Sequence, residues 1–82
     1  MEKSKKPKKE PNEELIKLGR RIKQLRIQKG YTNHEFFAYD HGISRAQFGR
    51  YEQGEDLRYL SLVKVVRALG LTLEEFFSEG FD

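Results

Sequence analysis

A short pattern that marks helix starts occurs three times between residues 31 and 76 of this 82-residue chain. In each copy a Ser or Thr is followed three residues later by Glu or Gln, so side chains and backbone amides can satisfy each other in a capping box. An apolar residue before each cap can also pack on the fourth residue after the cap. The pattern predicts helices that start near residues 33, 45 and 73. Its members are Thr32, Glu35, Tyr31 and Phe36; Ser44, Gln47, Ile43 and Phe48; and Thr72, Glu75, Leu71 and Phe76.

Two further helices follow from other signals. Asn12 is a suitable N-cap, and apolar residues recur at helical spacing until Gly30, so we predict a first helix over residues 13–29. Ser61 predicts a fourth helix start, and that helix ends near Leu69, before a glycine. Leu60, before this cap, and Val65, the fourth residue after it, form the corresponding apolar pair.

No strand signal competes with these helices, and the chain has no cysteine. The sequence therefore predicts an all-α fold, a compact domain of five short helices held together by its core alone. We place the folded domain at residues 12–82, after a basic, flexible N-terminal arm at residues 1–11. The core candidates are Leu18, Ile22, Leu25, Phe37, Phe48, Tyr51, Leu62, Val66, Leu69, Phe76 and Phe77.

The charges are unevenly distributed along the chain. The formal net charge of +3 comes entirely from the lysine-rich residues 1–12, so the rest is neutral overall. Within that neutral part, residues 13–30 are basic and residues 55–82 are acidic, which predicts a molecule with a basic front and an acidic back. A lysine-rich arm is as typical of a solubilising leader as of a nucleic-acid contact, and both interpretations stay open.

Composition and motifs argue against an enzyme, a metal site and a membrane protein. His34 and His41 are seven residues apart without carboxylate or cysteine partners at ligand spacing, so we expect no metal and no cofactor. No nucleophile–base arrangement and no glycine-rich phosphate loop can be recognised. The apolar runs are too short to cross a membrane, and we expect no secretory leader. We expect a cytoplasmic protein.

The predicted helices that start near residues 33 and 45 are joined by only a few residues around Gly42, so they should cross steeply as a helix-turn-helix. Ala38 allows the two backbones to approach, and Gly42 can take the left-handed conformation of the turn. The second helix then has an outer face suited to the DNA major groove, because arginine can read guanine, glutamine adenine and alanine a thymine methyl. The candidate base-contacting residues are Arg45, Ala46, Gln47, Gly49 and Arg50.

Residues 15–77 resemble the lambda repressor-like helix-turn-helix domain of phage repressors, Cro proteins and related bacterial regulators. The resemblance implies a five-helix DNA-binding domain and a sequence-specific transcriptional regulator, in our interpretation a repressor. It also implies a structural ion pair between Arg26, near the end of helix 1, and Glu52, near the end of the recognition helix. The residues that carry it are 18–26, 30–32, 43–45, 51–54 and 68–77.

The resemblance further implies phosphate contacts at the start of helix 2, which begins near residue 33, and in the loop after helix 3, the recognition helix, which begins near residue 45. Counted back from Phe48, Gly42 and Ala38 match the family, but a cap at Thr32 lies one residue too far upstream, so helix 2 is predicted to contain an insertion. Either Asn33 or His34 then takes the position of the family's phosphate-binding glutamine. The candidate phosphate contacts are Thr32, Asn33, His34, Ser44, Arg58 and Tyr59.

Double-stranded DNA is the expected partner, and one recognition helix reads few bases. A homodimer on a palindrome is therefore the natural form, with Phe76, Phe77 and Phe81 as possible dimer contacts. The alternative is a protein-binding module with the same fold, such as an antitoxin or an adaptor, that uses its acidic back to bind a toxin or another protein. The recognition helix argues against this alternative, since it lacks the aromatic anchors of protein interfaces.

Overall fold

The computed structural model describes residues 12–82, and these residues form five α-helices. The predicted arm, residues 1–11, lies outside the described residues. The helices are α1 (Glu13–Gln28), α2 (His34–Asp40), α3 (Arg45–Glu52), α4 (Tyr59–Ala68) and α5 (Leu73–Phe76). The all-α fold with five helices is thus confirmed. No helix in this part of the chain is long and apolar enough to span a membrane.

Three of the predicted helix starts carry the predicted caps. Asn12 accepts hydrogen bonds from the amides of Glu14 and Leu15 at 2.9 and 3.2 Å, which begins α1. Thr72 and Glu75 form a complete capping box at α5. At α3, Ser44 accepts a hydrogen bond from the amide of residue 47 at 3.3 Å. These starts depend only on residues close together in the sequence, which is why the pattern located them.

The start of α2 lies one residue later than the pattern predicts. Asn33 is the N-cap, and its Oδ1 accepts a hydrogen bond from the Glu35 amide at 2.7 Å. The predicted cap at Thr32 is therefore wrong. A helix that begins at His34 has the expected spacing to Ala38, so the inserted residue inferred from Thr32 is not needed.

Core packing selects this later start, because asparagine and threonine can both cap a helix. With Asn33 as the cap, Phe37 is fully buried and Phe36 is 65% exposed. The Tyr31 ring packs edge-on against Phe37, with ring centroids 5.2 Å apart. The predicted contact of Tyr31 with Phe36 is thus replaced by a contact with the next residue.

The start of α4 also differs from the prediction. It lies at Tyr59, and its N-cap is Arg58, three residues before the predicted cap Ser61; Arg58 makes no side-chain hydrogen bond. Leu60 is exposed, so the predicted pair of Leu60 and Val65 does not form. The helix is held instead by burial of Val65 and Val66 on its inner face.

Most predicted core residues lie in one cluster. Leu18, Ile22, Phe37, Phe48, Val66, Leu69 and Phe76 are buried, and Leu25, Tyr51 and Leu62 are packed against them. Phe77 was predicted in the core but is 45% exposed, because α5 ends at Phe76 and Phe77 caps the helix on its outer side. Phe76, conversely, is fully buried. It has no surface to offer a second copy, so its assignment as a dimer contact is wrong.

Arg21 closes the domain at its C-terminal end. Its guanidinium donates to the carbonyl oxygens of Phe76 and Glu75 at 2.7 and 3.0 Å, and an ion pair with Glu79 spans 3.4 Å. A helix end leaves carbonyl groups without partners, and a buried arginine can satisfy them. Arg21 therefore fixes α5 against α1.

Candidate nucleic-acid interface

The turn between α2 and α3 has a defined geometry. Gly42 has a φ of 69°, and the amide of Ile43 donates to the Ala38 carbonyl at 2.9 Å, which folds the chain back over the end of α2. Lys64 of α4 donates to the Gly42 carbonyl at 2.9 Å and holds the turn from outside. Ala38 is fully buried at this point. The turn therefore sets α3 at a fixed angle to α2.

The inner face of α3 is anchored in the core through Phe48. This side chain is fully buried and packs against Phe37 of α2, with ring centroids 5.1 Å apart. A Cβ added to Gly19 of α1 would lie 2.5 Å from the Glu52 carbonyl oxygen and 2.7 Å from the Tyr51 carbonyl oxygen. Gly19 thus permits a backbone approach between α1 and α3 that no other residue allows.

Arg26 and Glu52 join α1 to the end of α3. Nε and Nη2 of Arg26 donate to the two carboxylate oxygens of Glu52 at 2.6 and 2.9 Å, and the two side chains are only 4% and 8% exposed. Nη1 of Arg26 donates to the Tyr31 carbonyl at 2.7 Å. This pair has the two-point geometry that arginine makes with carboxylates, and it holds α3 in place from behind.

The outer face of α3 carries four of the five candidate base-contacting residues. Arg45, Ala46, Gln47 and Arg50 are all exposed. The face has no large apolar side chain, whereas arginine and glutamine can donate to base edges. Beside it, a groove of about 410 Å³ runs between α3 and the loop to α4, with Gln47 and Arg50 on one wall and Arg58 on the other.

Gly49 does not lie open on this face. It is half-buried, and a Cβ at Gly49 would lie 2.9 Å from Nε2 of His34. The His34 ring also tilts toward Phe48, with ring centroids 6.4 Å apart. Glycine at this position makes room for the imidazole from α2, so the space beside Gly49 is taken by His34 and is not open to a base.

Five of the six candidate phosphate contacts lie at three helix starts. Asn33 is the exposed cap of α2, and His34 is its first residue. Ser44 is the exposed cap of α3, where its hydroxyl already accepts a backbone hydrogen bond. Arg58 and Tyr59 are exposed at the start of α4, and Arg58 lies across the groove from α3. Thr32 is exposed but lies outside α2.

The C-terminal end of α2 is held by Tyr31, which precedes the helix, and by His41, which follows it. The Tyr31 hydroxyl donates to Oδ2 of Asp40 at 2.8 Å, and this hydrogen bond raises the pKa of Tyr31 above 10.0, because ionised Tyr31 could not donate it. Nδ1 of His41 lies 2.8 Å from the Phe37 carbonyl oxygen, and its half-buried ring packs on Phe37. His41 is therefore used in packing.

The sequence analysis missed the tertiary contacts of four residues. In the sequence, Arg21 is only a basic residue in a helix and Gly19 only a small one, and no local pattern indicates what they contact. The His34 ring over Gly49 and the Glu55 carboxylate near Arg50, whose Oε1 lies 3.3 Å from the arginine Nε, were also missed. Gly54, which follows α3, was the one signal of the position of Glu55, since a glycine there indicates that the chain folds back over the helix end.

Comparison with known proteins agrees with this geometry. A family model described as helix-turn-helix matches residues 22–76, which includes all of α2, α3 and α4. The chain belongs to the helix-turn-helix family of Cro/C1 type. It therefore carries a DNA-binding helix-turn-helix domain.

One relative is similar over nearly its whole length. Control protein C.MunI of Mycoplasma sp is 32% identical to this chain over 69 residues, which is 83% of this chain and 93% of the relative. No solved structure gives a significant match. The two chains are thus similar over most of their lengths, and the resemblance stated from the sequence is confirmed.

Proposed function

We propose that this chain is a transcriptional regulator that binds double-stranded DNA in a sequence-specific way, with α3 in the major groove. The observation that supports this most is the contrast between the two faces of α3. Phe48 and Glu52 fix the inner face, while Arg45, Gln47 and Arg50 point outward from a rigid helix. Rigid placement of arginine and glutamine is what reading of base edges requires.

Phosphate contacts would set the register of α3 on the duplex. We assign these to the start of α2, with Asn33 and His34, and to Arg58 and Tyr59 at the start of α4. Such contacts fix orientation and carry no sequence information. His34 is the stronger candidate for the position of the family's glutamine, since it is the first residue of α2 and Asn33 is occupied as its cap.

We further propose that the chain binds as a homodimer to a palindrome, with half-sites about 34–36 Å apart, one helical turn. Phe77 and Phe81 are the remaining candidate contacts, and their rings lie 4.8 Å apart on the C-terminal surface. A dimer bound across a promoter would exclude polymerase, so we propose repression. A reporter gene behind the selected operator should lose expression when the chain is present, whereas increased expression would indicate an activator.

The test is selection of bound duplexes from a random pool by the purified protein at near-physiological salt, followed by Arg45→Ala. We expect a palindrome from the wild type. The variant should lose about 1–3 kcal/mol of binding free energy at one base pair. Arg67→Ala removes an exposed arginine of α4 and is the matched control, which should keep the base preference. Equal loss on every sequence in Arg45→Ala would assign Arg45 to the phosphate backbone.

A protein-binding role is the second candidate, and one observation favours it. Phe36 and Tyr39 are 65% and 74% exposed and lie three residues apart on the outer side of α2. Exposed aromatic pairs of this kind are enriched in protein interfaces. If the folded protein recovers no duplex above background, this surface on α2 becomes the leading functional site.

A further inference from the structure

The end of α3 folds the chain back over the recognition helix. Gly54 has a φ of 98°, the Gly54 amide donates to the Tyr51 carbonyl at 3.1 Å, and the Glu55 amide donates to the Arg50 carbonyl at 3.0 Å. These two bonds define a Schellman motif. Glu55 is therefore held beside the last turn of α3 by its backbone, whatever its side chain does.

The Glu55 side chain lies next to a candidate base-reading residue. Its Oε1 is 3.3 Å from Nε of Arg50, and the two side chains are 60% and 48% exposed. An ion pair as exposed as this one adds little to folding stability. Within the described residues, the structure gives the two terminal nitrogens of Arg50 no hydrogen bond. The pair thus occupies one edge of the guanidinium and leaves its far end available.

The position of this carboxylate is unfavourable for DNA affinity alone. Glu55 lines the groove beside α3, together with Arg50 and Arg58, on the side that the DNA would cover. A negative charge there repels phosphates and weakens binding to every sequence. Its presence is therefore better explained by an effect on its arginine neighbour than by an effect on affinity.

A carboxylate at Nε restricts what Arg50 can bind. An unrestrained arginine can swing to a phosphate or to a base, but a phosphate close to Arg50 would also be close to Glu55 and be repelled by it. Guanine presents two neutral acceptors, O6 and N7, to the two terminal nitrogens. When DNA covers the groove and removes water, the Arg50–Glu55 attraction also becomes stronger.

We propose that Glu55 is a positioning residue that directs Arg50 to a guanine and away from the phosphate backbone. This inference rests on the proposed function, because it assigns the role of one residue in DNA reading. It also assigns Arg50 to a base contact rather than to a phosphate contact. Specificity at one base pair is thereby gained at the expense of overall affinity.

The test compares wild type, Arg50→Ala, Glu55→Gln and the double variant on the selected operator, on each single-base-pair substitution of it, and on random duplex. Arg50→Ala should lose about 5- to 150-fold of discrimination at one guanine. Glu55→Gln should lose about 2- to 5-fold at that same base pair, the range expected for an exposed ion pair, and should bind random duplex more tightly. In the double variant, Glu55→Gln should add no further loss of discrimination.

Glu74→Gln on α5 is the matched control, since it makes the same charge change away from α3 and should keep the discrimination. Thermal melting should show that Glu55→Gln is as stable as wild type, because the backbone bonds of residue 55 remain. Unchanged discrimination in Glu55→Gln, or a uniform loss on all duplexes in Arg50→Ala, would overturn the inference while wild-type specificity stands. A folded wild type without sequence preference would instead overturn the proposed function.

Discussion

Two arginine–glutamate pairs lie on opposite sides of α3, and their difference shows how burial decides the role of an ion pair. Arg26 and Glu52 are almost fully buried and share two hydrogen bonds, with a third from Arg26 to the Tyr31 carbonyl. Arg50 and Glu55 are about half exposed and make one contact at 3.3 Å. The inner pair, Arg26 with Glu52, fixes the position of α3. The outer pair, Arg50 with Glu55, does not hold α3, and we propose that it restricts what Arg50 binds.

The largest expected effect comes from breaking the inner pair. Arg26→Ala leaves the buried Glu52 carboxylate without its partner, so we expect a loss of about 3–5 kcal/mol of unfolding free energy. Urea denaturation followed by circular dichroism measures this loss. The double variant Arg26→Met with Glu52→Leu removes both charges and should recover most of the stability, since apolar replacement of a whole buried pair is often neutral. A single variant as stable as wild type would contradict a structural role for the inner pair.

A smaller effect is expected from the helix contact beside that pair. Gly19→Ala places a Cβ 2.5 Å from the Glu52 carbonyl oxygen, which is backbone and cannot rotate away. We expect α1 and α3 to separate slightly, at a cost of about 1–3 kcal/mol of unfolding free energy. Gly49→Ala is the matched control, because there the near atom belongs to the His34 side chain, which can move. Equal losses in the two variants would show that the close approach of the backbones is not what limits Gly19.

The smallest effect is expected from an exposed hydrogen bond at the edge of the inner pair. Tyr31→Phe removes the donor to Asp40, and we expect a small decrease in melting temperature at pH 7. In the wild type, the raised pKa of Tyr31 means that the stability from this bond is fully present below pH 10.0 and is lost as the pH rises through the folded-state pKa. Melting temperatures of both proteins between pH 7 and 11 should therefore converge at the alkaline end. A constant difference over that range would assign the effect to packing.

Sequence reasoning succeeded where a signal and its consequence lie within one helical turn. The caps at Asn12, Ser44 and Thr72 were predicted correctly, because each satisfies amides two or three residues away. It failed where two local solutions were equally good. Thr32 and Asn33 can both cap α2, and only the burial of Phe37 in the assembled core selects Asn33.

The interface shows the same division. Exposure of Arg45, Gln47 and Arg50 followed from the polar outer face of a predicted helix. The contact of His34 with Gly49 did not, because the two residues are far apart in the sequence and belong to different helices. Phe76 was predicted both as a core residue and as a dimer contact. Its complete burial agrees with the core role and leaves no surface for a dimer contact.

The sequence alone determined that this chain forms five helices, where most of them begin, and which helix has a face suited to DNA. These properties depend on hydrogen bonds and apolar spacing between near neighbours. The tertiary structure decided what each exposed or buried group is free to do. Arg21 donates a hydrogen bond to the end of α5, Gly19 lets α1 lie close to α3, and Glu55 lies beside Arg50. Packing brings these groups together, and no local sequence pattern specifies the distances between them.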